Sequence, residues 1–104
     1  MKEFIDLKGA SGVAYRFRLS ADGEFQQPIA GNYAYVQADG TGVKVIVLGE
    51  TPDLSRSRAG LPKGPRRAGT HLYTRLNVSR AVRMAEHEDL AAHYASARVV
   101  NGSS

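Results

Sequence analysis

The stretch from Gly31 to Leu54 constrains this chain more than any other, because it reads as two strands joined by a tight turn and followed by a helix start. Tyr33, Tyr35 and Gln37 alternate with Ala34 and Val36, the period-two pattern of a strand with two distinct faces. Ala38-Asp39-Gly40-Thr41-Gly42 follows, and Asp-Gly tolerates the positive φ angles that a tight hairpin demands. Val43 to Leu48 is almost entirely apolar, which predicts a central strand covered on both faces. Thr51-Pro52-Asp53 then supplies a capping hydroxyl, a proline with its φ preset, and an acid for the first turn. A short helix is expected from there to about Gly60.

The flanking segments can be read the same way. Glu3 to Leu7 is expected to be a strand, Lys8 to Gly12 a turn, and Val13 to Leu19 a second strand with Val13, Tyr15, Phe17 and Leu19 on one side; the two form a hairpin. Ala21-Asp22-Gly23 is a turn signal. Leu61 to Gly69, with two prolines and two glycines, is a loop; His71 to Leu76 is a strand. Asn77 or Ser79 caps a final helix from Arg80 to about Ala95, and Asn101 to Ser104 looks like a frayed tail. No internal repeat is visible.

Charge is unevenly spread. Of a formal net +4, the segment from Thr51 to Arg83 holds eight basic residues (Arg56, Arg58, Lys63, Arg66, Arg67, Arg75, Arg80, Arg83) against the single acid Asp53, a net of +7 that leaves −3 elsewhere. Such clustering suggests a polyanionic partner, and nucleic acid is the expected one. The chain has 104 residues and no cysteine, which excludes disulfides, zinc knuckles and thiol catalysis. No apolar run approaches a membrane span and the first residues lack a signal-peptide core, so a cytoplasmic protein without membrane contact is expected.

Gly31-x-Tyr33 on the first strand and Val47-Leu48-Gly49 on the second resemble the Gly-x-Tyr and Tyr-x-Gly signatures of the GIY-YIG nuclease domain. Gly49-Glu50-Thr51-x-Asp53-Leu54 resembles that family's turn into its first helix. Gly69-Thr70-His71, then Arg83-Met84-Ala85, Asp89-Leu90, Tyr94 and Asn101-Gly102, resemble later segments of small bacterial members. The resemblance implies an α+β fold: a small antiparallel three-stranded sheet with flanking helices. All 104 residues would form one domain, with residues 1–20 as an added N-terminal hairpin and 31–101 as the core.

Active members of the family hydrolyse a phosphodiester using a tyrosine as general base, an arginine on the phosphate and a glutamate on a divalent metal. Tyr33 matches the first tyrosine, but Val47 replaces the second and can neither move a proton nor bind phosphate. The arginine position falls on Ser57, flanked by Arg56 and Arg58; on a helix each neighbour points about 100° away. The glutamate position falls on His87, flanked by Glu86 and Glu88, and reads as an exposed helical histidine. Asp89 and His93 are spaced to pair along the helix. A vestigial catalytic site would therefore comprise Tyr33, Arg56, Arg58 and Glu86, with Glu86 or Glu88 taking magnesium or manganese if the enzyme is active; otherwise no cofactor is implied.

Three readings follow. The leading one is a non-catalytic GIY-YIG-like domain that binds nucleic acid through Arg56, Arg58, Lys63, Arg66, Arg67 and His71. The second is an active metal-dependent endonuclease. The third is a protein-interaction module on a retired nuclease fold, since arginine also serves protein interfaces.

Overall fold

A computed structural model describes residues 2–20, 27–38, 40, 42–60 and 69–101. In chain order the elements are β1 (Phe4–Lys8), β2 (Ala14–Ser20), β3 (Gly31–Ala38), β4 (Val43–Thr51), a 3-10 helix (Leu54–Gly60), β5 (Thr70–Leu76), α1 (Arg80–His93) and β6 (Arg98–Asn101). All six strands belong to one sheet in the order β1-β2-β5-β3-β4-β6, antiparallel except for the parallel β4–β6 pair. No helix among the described residues is long and apolar enough to cross a membrane.

The fold is α+β, but the sheet has six strands where three were expected. β3 does pair with β4 and with β5, as the alternation requires. The N-terminal hairpin is not an appendage, because β2 pairs with β5 through Arg18, Leu19 and Ser20 and carries β1 with it. Of the expected frayed tail, Asn101 instead ends a strand: Val47 to Glu50 of β4 pair with Arg98 to Asn101, and residues 102–104 lie outside the described residues. The expected flanking helices reduce to one α-helix and one 3-10 helix among the described residues. At the second, Thr51 Oγ1 accepts from Asp53 N at 3.1 Å, and the Asp53 carboxylate accepts from Ser55 N at 2.9 Å. Arg56 N donates to Asp53 O, three residues back, which starts the tighter winding. At α1 the Ser79 side chain accepts from Val82 N, so the serine and not Asn77 is the cap.

Strand alternation gives the sheet two faces with separate apolar clusters. The inner face, under α1, buries Leu7, Tyr15, Phe17, Ala34, Val36, Val45, Leu48, Tyr73, Leu90 and Ala97. The outer face, under the 3-10 helix, buries Tyr33, Tyr35, Val47, Leu54 and Leu72. A bulge at Ile46 keeps both sets in place, since Tyr35 faces Val47 while Val36 faces Val45. β4 is covered on both sides, as its apolar run predicts.

Candidate nucleic-acid interface

The two signature glycines have packing reasons. Tyr33 lies directly opposite Gly49, and its ring covers that glycine so closely that a β-carbon there would fall within the ring. A β-carbon on Gly31 would strike the Arg75 carbonyl and the Leu54 side chain, where β5 and the 3-10 helix close on β3. Tyr33 is itself 3% exposed, and its ring meets Tyr35 edge-on at 6.0 Å. Burial, reinforced by the nearby Glu50 charge and opposed by Arg98, pushes the Tyr33 phenol above its ordinary pKa. No hydrogen bond reaches its hydroxyl among the described residues.

The residues matching the family's other catalytic positions serve the core. Val47 is 1% exposed, inside the outer cluster. Ser57 is buried; its carbonyl accepts from the Tyr35 hydroxyl at 2.8 Å, while its own hydroxyl has no partner among the described residues. His87 is not exposed, as its helical position had implied, but 2% exposed, with Nε2 lying 2.9 Å from Asn101 Oδ1, so that α1 holds β6. Asp89 does not pair with His93; its carboxylate accepts from Ser11 N, Ser11 Oγ and the Tyr15 hydroxyl at 2.6–2.8 Å. These bonds clamp the β1–β2 turn to α1 and hold the Asp89 carboxyl below its usual pKa.

Glu86 lies on the inner face, where its Oε1 accepts from Arg75 Nε at 2.8 Å and from Asn77 Nδ2 at 2.9 Å. Asn77 Nδ2 also donates to Asn32 Oδ1, and Asn32 donates to the Arg83 carbonyl. Arg83 in turn donates from Nε to the fully buried Glu50 at 3.0 Å. A polar network thus ties the ends of β3, β4 and β5 to the first turns of α1. Sequence reading missed it; the one signal was polar Asn32 and Glu50 placed opposite each other in strands otherwise apolar there.

Tyr33 and Glu86 consequently occupy opposite faces of the sheet, and the structure does not bring them together. Arg56 sits on the exposed side of the 3-10 helix, on Tyr33's face, at 3.8 Å from Asp53. Arg58 belongs to the same helix. Glu88 is exposed on α1, and His71, half-buried, falls on the inner-face register of β5 beside Val36. Lys63, Arg66 and Arg67 lie outside the described residues.

The positive charge is redistributed by folding. Arg75 and Arg83 count toward the +7 segment, yet each is spent on an acid from outside it. Meanwhile alternation brings Lys8, Arg16, Arg18, Lys44 and Arg98 to the outer face, alongside Arg56. Among the described residues, those six cations meet three acids there, Glu3, Asp6 and Asp53. The inner side has Arg75, Arg80 and Arg83 against Glu50, Glu86, Glu88 and Asp89. The group of carboxylates and histidines needed for a metal is not found among the described residues. No protein-family model, curated protein or solved structure matches the chain.

Proposed function

We propose that this chain is a GIY-YIG-like domain that no longer hydrolyses phosphodiesters and binds nucleic acid through the 3-10-helix side of its sheet. The observation that carries the reading is the separation of charge across the sheet, six cations to three acids on one side and three to four on the other. A polyanion is attracted to the first side and not to the second. Lys63, Arg66 and Arg67 follow the 3-10 helix in sequence and are the further cations that the reading enlists.

Loss of catalysis is supported by the same geometry. A general base works best with a pKa near the operating pH. The Tyr33 phenol is shifted the other way, and the carboxylate of Glu86 is held by Arg75 and Asn77 across the sheet. A metal bridging the two would have to pass through the strands.

The test is a supercoiled plasmid incubated with magnesium or manganese, run beside a salt titration of DNA binding. The expected result is binding without nicking. On duplex DNA the logarithm of affinity falls against log salt by about 0.9 per phosphate contact, so four contacts give a slope of roughly −3 to −4. Replacing Arg66 and Arg67 together by alanine should flatten that slope by up to about two units, equally for unrelated sequences. Metal-dependent cleavage abolished by Tyr33→Phe would refute the non-catalytic part. Absence of binding at physiological salt would refute the nucleic-acid part and leave a protein partner as the reading.

A further inference from the structure

Among the described residues, the 3-10 helix packs mainly on β3 and β4. Over β1 and β2 no described element covers the outer face, and its side chains are largely exposed. Phe4, the first residue of the edge strand β1 and paired with Arg18, is 46% exposed. The Arg16 guanidinium lies over the Phe4 ring at 5.6 Å from its centroid. Leu76, at the end of β5, is also largely exposed. In register across the sheet, Phe4 faces Arg18, Arg18 faces Thr74, and Thr74 faces Tyr33. With strands about 4.8 Å apart, this row runs about 14 Å from the sheet edge to the border of the 3-10 helix.

We infer that the open outer face of β1, β2 and β5 is a platform for single-stranded nucleic acid, with bases stacking on the Phe4 ring and the Arg16 guanidinium. The inference rests on the proposed function and names its ligand class. An exposed aromatic ring beside a guanidinium plane, on a flat sheet face, is what an unpaired base needs for stacking. A duplex has its bases already stacked inside and meets a protein mainly with phosphates.

The acids on the platform argue in the same direction. Arg16 stands 3.6 Å from Asp6 and Arg18 3.8 Å from Glu3, all four side chains more than half exposed. Such pairs are weak and yield to a ligand. Their carboxylates repel a close row of phosphates, but they accept hydrogen bonds from the exocyclic amines of unpaired bases. Phosphates of the same strand then fall toward the cations of the neighbouring 3-10 helix.

Fluorescence anisotropy with a single-stranded oligonucleotide and a duplex of equal length tests this at near-physiological salt. The variants are Phe4→Ala and Phe4→Trp, with circular dichroism to confirm folding. The wild type should bind the single strand more tightly. Phe4→Ala should weaken that binding by about fivefold to a hundredfold, the loss of one stacked base. Phe4→Trp should keep it, and duplex affinity should be the same for all three proteins. If Phe4→Ala leaves single-strand binding intact, or weakens single strand and duplex alike, the platform is refuted while the proposed function stands. If the wild type binds neither ligand, the proposed function fails and the platform with it.

Discussion

Replacing Arg83 by methionine isolates the polar network at the corner between the strands and α1. Methionine has similar reach and no charge, so it leaves the site filled. Among the bonds lost are the 3.0 Å bond from Nε to Glu50 and two bonds from Nη1, to the carbonyls of Asn77 at 3.2 Å and Val78 at 3.1 Å. Arg83 and Glu50 are 3% and 0% exposed, so water cannot take over the carboxylate. Removing one partner of a buried ion pair costs about 3–5 kcal/mol. Against a domain stability of about 5–15 kcal/mol this is a large fraction. In urea, with a slope of roughly 1.5 kcal/mol/M, the unfolding midpoint should fall by about 2–3 M. Adding Glu50→Leu removes the stranded charge and should restore part of the loss. The carbonyls of Asn77 and Val78, both in part-buried bonds, still lose their donor at about 0.5–1.5 kcal/mol each, so recovery is incomplete. The double-mutant cycle then gives the coupling of the pair. A midpoint shift below about 0.5 M for Arg83→Met, or a double variant no better than the single one, would refute the account of the network as a buried, charge-dependent clamp.

Tyr33→Phe should be close to neutral for stability, because it removes a hydroxyl with no partner among the described residues, whereas Tyr33→Ala should cost about 3–5 kcal/mol by uncovering Gly49; thermal denaturation of both variants separates ring from hydroxyl. Gly49→Ala should destabilise by about 1–3 kcal/mol, since the Tyr33 ring must move aside, and a loss too small to measure in urea would show that the ring has room to do so. Asp89 supplies a pH dependence: its folded pKa lies below the unfolded value, so its contribution is complete above the unfolded pKa and disappears as pH falls through the folded one. Asp89→Asn should therefore reduce the difference in urea midpoint between neutral and acidic buffer, and an unchanged acid profile would count against the clamp on the β1–β2 turn.

Much of the local structure could be read from residues close in sequence. Alternation in Val13 to Leu19, Tyr33 to Gln37 and His71 to Leu76 and the Ser79 cap are local signals, and the strands and α1 lie where they point. The misses involve long-range pairing. Arg98 to Val100 suggest no element of their own until β4 offers them a parallel edge, and nothing within residues 98–101 announces that partner. The same reason hides the junction of β2 with β5. The site suffered twice. A charge count along the chain could not see that Glu50 and Glu86 neutralise Arg83 and Arg75 from outside the basic segment. A residue-by-residue comparison with a catalytic pattern could not see which face of the sheet each side chain takes. Along the chain Phe4 is only one residue of the strand expected from Glu3 to Leu7; its exposure and its contact with Arg16 exist only in the folded sheet.

The short parallel strand β6 also acts as a guard. β4 is nine residues long and largely hydrophobic, and without β6 its outer edge would present unpaired backbone groups along Val47 to Glu50. Exposed edges of that composition recruit further strands from other molecules. β6 occupies the edge with only four residues and carries Arg98 on it, a pattern that discourages continuation of the sheet. His87, through Asn101, fastens the guard to α1. A chain shortened after Ala97 should therefore lose solubility before it loses its remaining secondary structure, with light scattering rising while the circular dichroism spectrum stays near native. The four residues of β6 thus bear on colloidal behaviour more than on folding.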